Sequence, residues 1–158
     1  MNPLNTAIDA RQSFGRHVTI STGLADSVRS DPSMSARTSV KHLLYVDDEE
    51  SIVFLMTCIL KRRGFRVSGY TDPVEALAAA RADPGQFDLA VTDFKMPRLS
   101  GLDVARALKE IRPDLPVVMA SGSITDQVRV DALAAGVRAM LDKPFTIDQL
   151  CEAVAAPA

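Results

Sequence analysis

The sequence predicts an α/β domain: a doubly wound, five-stranded parallel sheet of order 2-1-3-4-5. Three observations lead there. From residue 42 onward, short apolar runs of strand length alternate strictly with segments of helical periodicity, five of each. The runs are almost wholly apolar, as strands buried on both faces are. Strict alternation calls for βαβ units with right-handed crossovers and helices on both sides of a parallel sheet.

Each element has its own justification. "HLLYV" (42–46) is the first strand, and "SIVFLMTCILKRRG" (51–64) a helix with a basic last turn closed by Gly64. "FRVSGY" (65–70) is the second strand. "DPVEALAAARAD" (72–83) is a helix capped by Asp72, with Pro73 in its first turn. "DLAVTD" (88–93) is the third strand, followed by the loop "FKMPRLS" and the helix "GLDVARALKEI" (101–111). "PVVMAS" (116–121) is the fourth strand, and "DQVRVDALAAG" (126–136) a helix ended by Gly136. "RAML" (138–141) is the fifth strand, and "TIDQLCEAVAA" (146–156) a final helix capped by Thr146.

Residues 1–40 read differently. Apolar residues are scattered, and Ser and Thr crowd into "SVRSDPSMSARTS". This is the composition of a flexible leader or linker, with residues 41–158 forming the domain. A short apolar patch, "HVTI", is the one strand-like or docking stretch in it.

Composition narrows the function classes. The chain of 158 residues is 47% hydrophobic and 24% charged, an ordinary globular balance. A net charge of −2 gives no electrostatic reason to expect nucleic-acid or membrane-surface binding. No apolar run approaches the roughly 20 residues that span a bilayer, and the N-terminus lacks an apolar block of signal-peptide length. The expectation is a cytoplasmic protein. Cys58 and Cys151 lie in separate apolar helical segments without a CxxC or a histidine cluster, so they read as buried thiols. His17 and His42 are isolated, and a zinc site is unsupported.

The chemistry gathers at the strand ends. In an open sheet of this order, ligands bind outside the carboxyl ends of the strands, where strand order reverses, here between the first and third strands. The first strand runs into Asp47, Asp48, Glu49 and Glu50, and the third ends in Asp93. Ser121 and Lys143 close the fourth and fifth strands at the same edge. Neighbouring carboxylates repel one another, but they suit a hard divalent cation such as Mg²⁺, which prefers oxygen ligands. Three acids, a hydroxyl and a lysine point to phosphoryl chemistry. Asp93, alone on its strand end, is the nucleophile candidate. Asp47 and Asp48 have a plainer reading as acids favouring a helix N-terminus, the role expected of Glu49 and Glu50. Met96 and Pro97 read as loop-shaping residues, and Met56, Met119 and Met140 as core.

Four motifs in order, "YVDDEE", "VTDFKMPRLSGLDV", "VVMASG" and "LDKPF", closely resemble the receiver domain of two-component response regulators over residues 42–156. The resemblance implies a flavodoxin-like fold and a set of roles. Asp93 would accept a phosphoryl group from a phosphohistidine on a histidine kinase or phosphotransfer protein. Asp48 would ligate Mg²⁺ directly, Asp47 largely through water, and the Lys95 backbone carbonyl would be a further ligand. Lys143 would contact the phosphoryl oxygens, and Ser121 would hydrogen-bond the phosphorylated form. The bond before Pro144 would be cis. The downstream protein is not named by the resemblance. One departure stands out: the position three residues before Lys143, often Tyr or Phe in such domains, is Met140. A thioether offers neither ring nor phenol, so the coupling of Ser121 to that position is altered.

The competing reading is an unphosphorylated interaction module that keeps the fold without the switch; intact Asp93, Ser121 and Lys143 oppose it. A haloacid-dehalogenase-type hydrolase would need Asp-x-Asp after the first strand. A flavodoxin would need a phosphate cradle where acids stand. Few residues follow the last helix, and the leader lacks a helix-turn-helix pattern. The expectation is therefore a receiver that acts by protein contact, either stand-alone or related to those of hybrid histidine kinases.

Overall fold

The computed structural model describes residues 41–156. The leader reading of residues 1–40, including "HVTI", lies outside the described residues. In chain order the elements are β1 (His42–Val46), α1 (Glu50–Arg62), β2 (Arg66–Tyr70), α2 (Pro73–Ala82), β3 (Leu89–Asp93), α3 (Gly101–Ile111), β4 (Val117–Ser121), α4 (Asp126–Ala134), β5 (Val137–Asp142) and α5 (Ile147–Ala155). All strand pairs are parallel, and the sheet order is β2-β1-β3-β4-β5. Both the alternation and the strand order are those the sequence predicts. No described helix is long and apolar enough to cross a membrane.

The buried strands explain their composition. Every residue of β1, β3 and β4 is buried. Side chains alternate across a strand, so each strand feeds two cores. Leu44 and Val46 of β1 join Leu77, Val104, Leu108 and Met119 beneath α2 and α3. Leu43 and Tyr45 join Leu60, Val118, Leu150 and Val154 on the α1 and α5 side.

Local signals set the helix ends. Asp72 accepts a hydrogen bond from Val74 N–H at 2.8 Å, capping α2 as predicted. Gly64 and Gly136 follow α1 and α4 at φ +89° and +79°, the left-handed region glycine occupies without strain. Thr146 caps α5. Glu49, expected as a capping acid, holds the N-cap position of α1 but makes no side-chain cap bond there.

At α3 the cap is reciprocal. Ser100 Oγ accepts from Asp103 N–H, and the Asp103 carboxylate accepts from both Ser100 N–H and Ser100 Oγ–H. Those bonds favour the ionised form and hold the Asp103 carboxyl below the usual carboxylate range. A carboxyl depressed by folding adds stability above its unfolded pKa, and that stability is lost as pH falls through the folded value. Ser100→Ala is expected to cost about 1 kcal/mol at neutral pH. In urea unfolding that deficit should shrink in acid, as Asp103 protonates and its share of the cap disappears in both proteins.

Two sequence-based readings change at the side-chain level. Cys58 is exposed and Cys151 half-buried, so neither is the buried thiol expected. Cys58 lies one turn after Phe54, which is 71% exposed, on the outward side of a helix whose only fully buried residue is Leu60. His42 is isolated from other histidines and is buried at the foot of the sheet. One ring nitrogen bonds Gln86 O at 2.8 Å and the other Ser68 Oγ at 2.9 Å, which accounts for its burial without a metal.

Candidate functional site

Parallel strands deliver their last residues to one edge. Asp47 leaves β1 and is tied to the neighbouring strand end by its N–H to Tyr70 O at 3.2 Å. Phe94 N–H donates to Ala120 O and Lys143 N–H to Ser121 O, both at 2.8 Å. The ends of β3, β4 and β5 are thus laced together by backbone bonds. Three of the predicted residues converge there. The Lys143 ammonium lies 2.6 Å from Asp93 Oδ1 and 3.1 Å from Asp47 Oδ2, bridging residues that are far apart in sequence.

The other carboxylate oxygens are also engaged. Asp47 Oδ1 accepts from Glu49 N–H at 3.1 Å, and Asp93 Oδ2 accepts from Lys95 N–H at 2.7 Å. Asp47 thus turns back on the N-cap residue of α1 through one oxygen, without capping the first turn, and meets Lys143 through the other. Both side chains are buried, Asp93 being 8% and Asp47 3% exposed. Burial raises the Asp47 carboxyl above the usual carboxylate range and the Asp93 charge adds to that rise, although Glu49 N–H and Lys143 oppose it. For Lys143, burial works against the charge, but Asp93 and Asp47 outweigh it and raise the ammonium above its usual value. Two buried carboxyl groups share one ammonium.

Ser121 is buried at the end of β4, and its hydroxyl is spent locally. It donates to Ser123 O and accepts from Ser123 N–H, each at 3.2 Å. Asp48 stands exposed at the rim, and Lys95 is also exposed. Among the described residues, no three His, Cys, Asp or Glu side chains form a ready cluster for a metal ion, so the structure does not gather Asp47, Asp48 and Asp93 into one cage. The donor set still fits Mg²⁺, which takes only one or two carboxylates and keeps several waters. The bond between Lys143 and Pro144 is cis, as the resemblance implies.

A cleft of about 520 Å³ opens beside Lys143, lined by Tyr45, Glu49, Ile52, Met56, Pro144 and Phe145. Tyr45 is a buried part of its lining. Burial, followed by the charges of Asp47 and Asp93, pushes its phenol well above the usual range, so it remains a neutral group beneath the acids. On the other side of the site, the loop after Asp93 is closed by Gly101 N–H donating to Phe94 O at 2.9 Å. A Cβ at Gly101 would lie 2.3 Å from Asp93 O and 3.0 Å from Phe94 Cα. These are backbone atoms with no side-chain freedom to yield. Gly101→Ala is expected to cost about 1–3 kcal/mol, read as a lower urea midpoint.

Sequence reasoning missed Arg98. It has φ +70°, and its guanidinium pairs with the Asp72 carboxylate across 26 positions of sequence. The motif "MPRLSG" carries no signal for that partner. It also missed the local pairing of Ser121 with Ser123.

A doubly wound sheet with two carboxylates and a lysine converging where strand order reverses defines the receiver class of α/β domain. Residues 43–155 match the family described as "Response regulator receiver domain", and the chain belongs to that family of two-component signalling. The alkaline phosphatase synthesis transcriptional regulatory protein PhoP of Bacillus subtilis is 35% identical over 106 residues, covering 67% of this chain and 43% of that protein. The chain spans less than half the length of that relative and of others it matches, such as the response regulator SaeR of Staphylococcus epidermidis, 46% covered. Among solved structures, a receiver domain protein of Clostridium thermocellum superimposes with a TM-score of 0.69 at 30% identity, over 73% of this chain and 91% of that one. A response regulator of Burkholderia pseudomallei, solved with a phosphorylated aspartic acid, calcium ion and citrate, gives 0.67 at 27%, over 73% and 67%.

Proposed function

We propose that this chain is a phosphoacceptor that takes a phosphoryl group from a phosphohistidine onto Asp93 and signals by a conformational switch. The donor would be a histidine kinase or phosphotransfer protein, and the output a contact with a downstream protein, in the cytoplasm. The observation that carries this reading is the Lys143 ammonium held between the buried carboxylates of Asp93 and Asp47. The phosphorylated aspartic acid in the Burkholderia pseudomallei relative supports it.

In this reading an Asp93 carboxylate oxygen attacks phosphorus. The P–N bond breaks, its electron pair returns to the imidazole, and the ring nitrogen takes a proton from solvent. An acyl phosphate remains on Asp93. Asp47, Asp48, Asp93 and the Lys95 carbonyl would hold Mg²⁺, which supplies neutralisation of phosphoryl charge when bound. Lys143, already 2.6 Å from Asp93, is placed to donate to phosphoryl oxygens as they arrive. Among the described residues the Ser121 hydroxyl bonds Ser123, which it would release to turn toward them. The phosphoryl group adds about −1.5 to −2 charges at this edge, enough to reorder the loop after β4.

Intact-mass spectrometry after incubation with acetyl phosphate, with and without Mg²⁺, tests the proposal. The expected result is one added phosphoryl group that depends on Mg²⁺. If acetyl phosphate leaves no adduct, a phosphorylated histidine kinase is the second donor. Failure with both overturns the proposal and leaves the interaction module.

A further inference from the structure

We infer that Arg98 and Asp72 form a strap across the phosphoacceptor edge, and that Arg98 is a positioning residue for phosphoryl uptake. The inference rests on the function proposed above. Arg98 lies on the loop between β3 and α3, five residues after Asp93. Its φ of +70° is in the left-handed region, which a non-glycine residue adopts at a cost. Leu99 N–H donates to Pro97 O at 2.8 Å, so Arg98 is the centre of a γ-turn with positive φ, the rare and strained form. A backbone held that way needs an anchor.

Asp72 provides it. One of its carboxylate oxygens accepts from Val74 N–H at 2.8 Å and so is fixed to the first turn of α2. The other accepts from the Arg98 guanidinium. The carboxylate is 30% exposed against 62% for the arginine, so the acid is the settled partner and the arginine comes to it. Because β1 lies between β2 and β3, a link from the β3–α3 loop to the β2–α2 turn crosses the end of β1, where Asp47 and Asp48 emerge. The strap therefore bounds the acid-lined crevice on its α2 and α3 side. It is also coupled to the acceptor. The same loop contributes the Lys95 N–H that orients Asp93 Oδ2 at 2.7 Å, and it is closed by Gly101 N–H on Phe94 O. Between these two fixed points Met96 and Leu99 pack against the core beneath α2 and α3, and Arg98 adds an ion pair to the start of α2. Releasing it frees the γ-turn to relax, and with it the amide that orients Asp93.

The test is the rate of phosphoryl uptake from acetyl phosphate with Mg²⁺, followed by intact mass, with urea midpoints measured in parallel. Arg98→Gln removes the charge and keeps a side chain. Asp72→Asn removes the charge and keeps an N-cap residue of equal quality. Each is expected to slow uptake by up to about fivefold, the most an exposed ion pair supports. The double variant should be no slower than either single one, because both remove the same link. Arg98→Lys should return toward the parental rate. Effects that add in the double variant, or single variants at the parental rate, overturn the strap while leaving the proposed function intact. So do losses that follow the urea midpoint alone. A parent chain that accepts no phosphoryl group from acetyl phosphate or from a phosphorylated kinase overturns the proposed function, and the role of Arg98 with it.

Discussion

Asp93→Asn is expected to take up no phosphoryl group from any donor while remaining folded. An amide oxygen cannot form the acyl phosphate, so the loss is complete rather than graded. The surroundings tolerate the change. Lys95 N–H, which now donates to Asp93 Oδ2, can donate to the amide oxygen instead. Lys143 keeps its bond to Asp47 Oδ2 at 3.1 Å. The Asp93 charge that helps to raise the Asp47 carboxyl disappears. Unfolding midpoints are therefore expected at or above those of the parent. Mass spectrometry with acetyl phosphate and Mg²⁺ gives the chemical answer, and urea unfolding shows that it is not a folding defect. A phosphoryl adduct on the variant would move the acceptor to another residue.

Lys143→Met should slow uptake by about 10²–10³-fold without abolishing it, the loss seen when one preorganised donor to developing negative charge is removed. The nucleophile survives, but the positive charge 2.6 Å from it does not. The substitution also leaves Asp47 and Asp93 without the ammonium they share, and both are buried. Breaking one side of such a group is destabilising by a few kcal/mol, about 3–5 where burial is complete. Here Lys143 itself is one-third exposed, so a smaller cost is expected. Single-turnover uptake separates the two effects: at saturating donor and well below the unfolding midpoint, the rate alone reports the lost charge. A variant that accepts phosphoryl groups at the parental rate would reduce Lys143 to a structural counter-ion.

Much of this site was legible because the fold converts sequence addresses into positions. Once alternation gives a parallel sheet, the last residue of each strand must lie at one edge. Asp47, Asp93, Ser121 and Lys143 could thus be brought together across as many as 96 positions of sequence. Side-chain partners were less legible. Nothing in "DDEE" tells which acid turns inward; Asp47 is buried beside Lys143 while Asp48 is exposed. Periodicity also failed for Cys58, because "SIVFLMTCIL" is apolar on every side and does not mark the side that meets the sheet. The Arg98–Asp72 pair joins two loops, where neither period nor propensity constrains a side chain's direction.

The alternation of β1 between two separate cores has a consequence for redesign. Leu44 and Val46 answer to α2 and α3, while Leu43 and Tyr45 answer to α1 and α5. The central sheet is an insulating wall between two layers that share backbone but few side chains. Changes distributed across the wall should combine without interference, since distant sites without common partners act additively. The outer surface of α1 and α5 can then be grafted from a relative while the α2–α4 layer keeps its own packing.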